Sequence, residues 1–199
     1  FAYSITPSPP MSKIVLFASG SGTNVENIVR YFQSHSEVEI TFVFTNKKEA
    51  RVLDRCKELE VSAAYLSKEA LKSTAFLGML QQINPDLIVL AGYLLKIPQP
   101  WITAFQERII NIHPALLPKF GGKGMYGAHV HEAVIAAGEK ESGITIHYVN
   151  EHYDEGTIIA QYAVEVSPQD TPSSLAEKIH GLEHAYYPKV IEKLLTHAD

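Results

Sequence analysis

Apolar positions along this chain fall into short unbroken runs separated by helical stripes. Residues 13–19 read KIVLFAS. A strand covered on both faces has no solvent side to alternate with, so this run predicts a buried parallel strand. Gly20-Ser21-Gly22-Thr23-Asn24 breaks it, and Val25, Ile28, Val29 and Phe32 then recur on one face of a helix. The rhythm repeats with a strand over 39–45, a helix over 50–59, a short strand over 63–66 and a helix over 74–83. Asn84-Pro85-Asp86 turns the chain into a buried strand over 87–91. A short helix over 100–105 and a strand over 108–112 follow. Strands separated by helices imply a parallel sheet with right-handed crossovers. Beyond His113 the rhythm changes. Residues 114–127 hold six Gly or Pro and predict a long loop, followed by a helix over 131–137. Alternation over 144–149 and 157–166 predicts two neighbouring antiparallel strands, and a last helix is expected over 172–195. The fold class is α/β, a Rossmann-like open sheet with a parallel N-terminal half, a mixed or antiparallel C-terminal part, and helices on both faces.

Composition narrows the classes of function. With 199 residues, 46% of them hydrophobic, the chain can bury roughly 70% of its unfolded surface. One domain over 11–199 therefore needs neither disulfide nor metal to hold its core. Residues 1–10, FAYSITPSPP, have three prolines and no periodicity, and are expected to form an extended or disordered arm. They have neither the basic start nor the apolar centre of a signal peptide. A net charge of −5 argues against nucleic-acid or acidic-membrane partners. The apolar run 87–95 is far shorter than the ~20 residues of a membrane span. Cys56 is the single cysteine, which excludes an internal disulfide and a Cys-based zinc site. The chain thus reads as soluble and cytoplasmic.

Three constellations carry candidate chemistry. The loop Gly20–Asn24, between a buried strand and a helix, can cradle a phosphate on backbone amides at a helix N-terminus; it can also be a plain turn. A dinucleotide fingerprint would need glycine at Val25 and an acidic residue near Thr45, and the P-loop Lys is absent. A phosphomonoester fits better than NAD or ATP. Asn111 and His113 stand two apart at the end of a strand, so both project from one face towards the crevice where open α/β sheets bind ligands. An amide donor beside a histidine suits a reaction that develops charge on a carbonyl oxygen. His152-Tyr153-Asp154-Glu155-Gly156 is either a tight Asp-x-Gly turn or the source of a carboxylate, Asp154, that raises the His113 pKa and keeps the ring cationic. His180-Gly181-Leu182-Glu183-His184 matches an inverted zinc-peptidase pattern, but Gly181 weakens the presenting helix and little chain follows. His129-Val130-His131-Glu132 has Ile135 where H-E-x-x-H needs its second histidine. No G-x-S-x-G elbow occurs.

Taken in order, KIVLFASGSGTN (13–24), DLIVLAGYL (86–94), IINIHPALLP (109–118), SGITIHYV (142–149), DEGTIIAQ (154–161) and EHAYYP (183–188) resemble the phosphoribosylglycinamide formyltransferase family. This is the metal-free, 10-formyltetrahydrofolate-dependent transformylase family of purine synthesis. The resemblance implies that glycinamide ribonucleotide and formylfolate are the small-molecule substrates of a monomer or homodimer. It implies Asn111, cationic His113 and Asp154 as the catalytic group. Gly20, Ser21, Gly22, Thr23 and Asn24 would hold the phosphate, with His131 and Glu183 on the substrate side. Leu90, Ala91, Gly92, Tyr93 and Leu94, with Asn150 and Asp154, would line the folate pocket. Two departures stand out. Many members have Arg after the Ala-Gly-aromatic stretch, where this chain has Leu95 and Lys96. The segment 119–131 is also longer than expected, and spacing to His147 favours His131 over His129 as the substrate-side histidine. Formyltetrahydrofolate deformylase and methionyl-tRNA formyltransferase resemble the chain less, because their additional domains have no counterpart here. A non-catalytic nucleotide- or folate-binding protein is the alternative from another class.

Overall fold

A computed structural model describes residues 11–196; the arm expected over 1–10 lies outside the described residues. In chain order the elements are β1 (Ser12–Phe17), α1 (Thr23–Phe32), β2 (Val38–Thr45), α2 (Val52–Glu58), β3 (Ala63–Tyr65), α3 (Lys68–Leu71), α4 (Thr74–Ile83), β4 (Leu87–Leu90), α5 (Gln99–Ala104), β5 (Ile109–His113), α6 (Ala128–Ala136), β6 (Glu141–Tyr148), β7 (Ile158–Glu165) and α7 (Pro172–Thr196). The strands form one seven-stranded sheet in the order β3-β2-β1-β4-β5-β6-β7. The first five are mutually parallel, whereas β6 is antiparallel to both its neighbours, β5 and β7. This is the mixed open sheet the pattern predicts. The one-turn helix α3 was not anticipated. It is too short to show a 3.6-residue stripe and is set by Ser67, whose Oγ accepts the Ala70 N–H at 3.1 Å.

The unbroken apolar runs are explained by two cores, one on each face of the sheet. Ile14 and Leu16 of β1 face the core shared with α1, α2, α6 and α7, while Val15 and Phe17 face the one under α3, α4 and α5. β4 divides the same way, with Leu87 and Val89 on one side and Ile88 and Leu90 on the other. Among the described residues no helix is long and apolar enough to cross a membrane.

Strand order reverses between β1 and β4. The loops leaving their carboxyl ends therefore part and open a crevice, as at any switch point of an open α/β sheet. The two loops are tied at the base by Ser19: its N–H donates to the Gly92 carbonyl at 3.0 Å, and its Oγ accepts the Leu94 N–H at 2.9 Å. α7 is anchored against the same place. The fully buried Tyr187 donates its hydroxyl hydrogen to the Leu90 carbonyl at 2.9 Å, which sets Glu183, one turn earlier, at the crevice wall.

Candidate active site

The crevice has a volume of about 440 Å³ and is lined by residues of every region singled out above. At one end stands the glycine loop. Gly22 takes a left-handed backbone, φ 75°, and a Cβ there would come within 2.5 Å of Val52 Cγ2; both conformation and space demand glycine. Gly22 caps α1 without a side-chain hydrogen bond, so the first N–H groups of a ten-residue helix stay open to an anion. Arg55 steadies the loop from outside, its Nε donating to the Ser21 carbonyl at 2.7 Å. Asn24 donates from Nδ2 to Glu183 at 2.9 Å, while its Oδ1 is buried without a partner. Burial pushes the Glu183 carboxyl above its ordinary range, against the pull of Asn24 and His180.

In the middle, β5 ends by presenting Asn111 and His113 to the crevice while Ile110 and Ile112 pack behind. The ring of His113 is 3% exposed. Its Nε2 donates to the Phe120 carbonyl at 2.7 Å, and Nδ1 lies 3.5 Å from Asp154 Oδ2. Asp154 sits at φ 58°, a left-handed turn conformation that Asp tolerates. The turn and the functional readings of this residue are thus one geometry. Asp154 Oδ2 also accepts the Gly122 N–H at 3.0 Å. Burial works to raise the Asp154 pKa but is outweighed by its neighbours, His113 and the Gly122 N–H among them, so the carboxylate is held below its ordinary range.

Two influences oppose each other on His113: burial, the largest, pulls its pKa below the ordinary histidine range, while Asp154 and the Phe120 carbonyl, acceptors that face its two ring nitrogens, pull the other way. Burial lowers His131 in the same way, with His180 and His113 adding to it. For both rings the folded state binds fewer protons than the unfolded chain between the lowered value and ~6.5. Their contribution to stability is present above that window and is lost as pH falls through it. Histidine titration followed by NMR should give midpoints for both rings below ~6.5; a midpoint above it for either ring would contradict the burial argument.

His131 lines the crevice, and its buried Nδ1 has no partner. His129 is exposed, 3.5 Å from Glu132, and does not line the crevice. His180 and Glu183 line the crevice but His184 does not. Among the described residues no group of three or more His, Cys, Asp or Glu is arranged to hold a metal ion. At the far end, residues 90–94 with Asn150 form the wall, and Gly92, at φ 75°, has open space where a Cβ would stand. Lys96 also reaches the crevice, with Nζ 5.8 Å from the centre of the Tyr153 ring. Cys56 lies outside, buried, its thiol pushed up to about 11 by desolvation; it is no nucleophile. Sequence reasoning missed Ser19 and Thr145. Thr145 Oγ1 donates to the Ala115 carbonyl at 2.7 Å and accepts the Leu117 N–H at 3.0 Å, which shapes the loop after His113. Thr145 is a small polar residue inside an apolar strand and Ser19 stands just after one, the only signal that marks them.

The family pattern described as formyl transferase matches residues 12–191. The chain belongs to the formyl transferase family. It is 39% identical over 190 residues to the chloroplastic phosphoribosylglycinamide formyltransferase of Arabidopsis thaliana, across 92% of this chain and 65% of that protein. The chain thus spans just under two thirds of that plant relative. The phosphoribosylglycinamide formyltransferase of Bacillus subtilis (strain 168) is 38% identical, across 93% of this chain and 95% of the relative. Among solved structures, that of phosphoribosylglycinamide formyltransferase from Bacillus halodurans superposes with a TM-score of 0.84 at 37% identity, covering 94% of this chain and 97% of that one. The loop over 119–127 takes positive φ at Phe120, Gly122, Gly124 and Gly127, and its Phe120 carbonyl and Gly122 N–H fasten onto His113 and Asp154.

Proposed function

We propose that this formyl transferase moves the formyl group of 10-formyltetrahydrofolate to the amine of glycinamide ribonucleotide. The observation that carries the reading is the single crevice joining an uncapped helix N-terminus, the Asn111–His113–Asp154 group and an open backbone-walled pocket. Gly20–Asn24 binds the phosphate through backbone amides, so a net charge of −5 is no obstacle. Glu183 and His131 contact the sugar side, and Leu90–Leu94 with Asn150 border the folate.

The amine nitrogen bonds to the formyl carbon, and the bond from that carbon to the folate nitrogen then breaks. The amine gives up one proton and the folate nitrogen takes one, so the exchange balances without another reagent. His113 suits the role of carrier. Its Nε2 hydrogen is committed to the Phe120 carbonyl, so the travelling proton is held on Nδ1, the nitrogen facing Asp154. The imidazolium that forms is balanced by Asp154, and together with the Asn111 amide it stabilises the oxyanion.

The test is folate release by the unmodified protein with and without glycinamide ribonucleotide, with no metal added. Release that depends on the ribonucleotide is expected. Equal release in both would mean that water is the acceptor, and tight binding without release would mean a binding protein.

A further inference from the structure

None of the roles above uses His147. It is 2% exposed and stands in antiparallel β6 directly opposite Asn111. Its two ring nitrogens have unlike neighbours. Nδ1 lies 2.9 Å from the Tyr148 carbonyl oxygen; that oxygen can only accept, so Nδ1 carries the hydrogen. Nε2 lies 3.3 Å from Asn111 Nδ2, which can only donate, so a lone pair faces it. Asp154 Oδ1, the other polar group on this nitrogen, is 3.6 Å away, beyond hydrogen-bond reach. The Asn111 amide makes no other side-chain hydrogen bond among the described residues.

We infer that His147 is a positioning residue for formyl transfer: its Nε2 lone pair holds one N–H of Asn111 and leaves the second for the formyl oxygen. The inference rests on the oxyanion role proposed for Asn111. Two further features support it. The β6–β7 register shifts between Ile146 and His147, and bulges of this kind re-aim side chains beside active sites. The Tyr148 carbonyl is also held in place. Its residue's N–H donates to the Thr157 carbonyl at 2.9 Å, and the oxygen occupies the space where a Cβ at Gly156 would stand. The glycine of the Asp-x-Gly turn thereby keeps the acceptor that sets the His147 tautomer.

Two measurements on the full chain test this. In a two-bond nitrogen–proton correlation spectrum of protein carrying ¹⁵N-histidine, the His147 ring, identified by its loss in His147→Gln, should show its hydrogen on Nδ1 and a bare Nε2. A hydrogen on Nε2 overturns the inference. In kinetics, His147→Leu should lower kcat by ~10–100-fold, the cost of a misaimed oxyanion donor, with KM for both substrates within ~3-fold. His147→Gln, whose amide oxygen can reach the Nε2 position, should recover most of the rate. In an Asn111→Ala background, His147→Leu should cost less than ~2-fold more, because the two side chains act as one unit. A full additional loss there, or Gln no better than Leu, overturns it. Should the Leu variant not fold, the spectrum of the unmodified protein decides alone. Failure of the proposed function itself would show separately, as an unmodified protein that transfers nothing to the ribonucleotide.

Discussion

Asp154→Asn should lower turnover by at least ~100-fold, as should His113→Asn, the usual scale for loss of an acid–base or charge-stabilising group. Asp154 is the point where the centre converges. One oxygen lies 3.5 Å from His113 Nδ1 and accepts the Gly122 N–H, and the other lies 3.6 Å from His147 Nε2. Asparagine keeps the shape and can still accept from Gly122, so the loop stays fastened while the charge disappears. The imidazolium formed during transfer would then be left uncompensated at a ring that is 3% exposed, where water cannot replace the lost partner. Thermal denaturation should change little, which separates a chemical defect from a folding one. Near-normal kcat in either variant would remove that residue from the assigned chemistry.

Gly143→Ala should lower stability by roughly 3 kcal/mol and the thermal midpoint by roughly 6–12 °C. Gly143 lies inside β6, paired with Ala163 of β7. A Cβ there would overlap the Tyr162 carbonyl oxygen and stand 2.7 Å from Leu116 Cδ2 and 3.0 Å from the Ala163 Cα. The Leu116 side chain can move aside, but the two backbone groups belong to a strand pair that cannot part without losing hydrogen bonds. Gly181 is the control. It sits in α7 with nothing within 4 Å of a Cβ, so Gly181→Ala should leave the midpoint unchanged or raise it, by up to ~1 kcal/mol of helix propensity. Equal midpoints for Gly143→Ala and the unmodified chain would refute the packing argument.

The candidate site was legible in the sequence to the extent that its parts are local. Asn111 and His113 are two apart on a strand, so their common face follows from strand geometry alone. The glycine loop announces itself between a buried strand and a helical stripe. For His113 the sequence shows only one of two opposed influences. The carboxylate partner can be guessed from a motif, whereas the burial that opposes the partner is a property of the folded crevice. His147 lay in plain view in SGITIHYV, but its importance depends on the register that sets it opposite Asn111. Ser19 binds two loops 75 positions apart in the chain, a relation that no spacing within one segment encodes.

By itself, then, the sequence determined the alternation of strands and helices, the parallel N-terminal half, the family resemblance, and which residues are candidates for the chemistry. These follow from short-range periodicity, turn chemistry and motif order. The tertiary structure decided which groups meet and which influences act on their protonation. It joined the β1 and β4 loops through Ser19, set α7 by the Tyr187 hydroxyl on the Leu90 carbonyl, and fastened the loop over 119–127 onto His113 and Asp154. Desolvation and hydrogen bonding act through space between residues distant in the chain, so these outcomes exist only once the sheet has closed its register and the helices have covered both its faces.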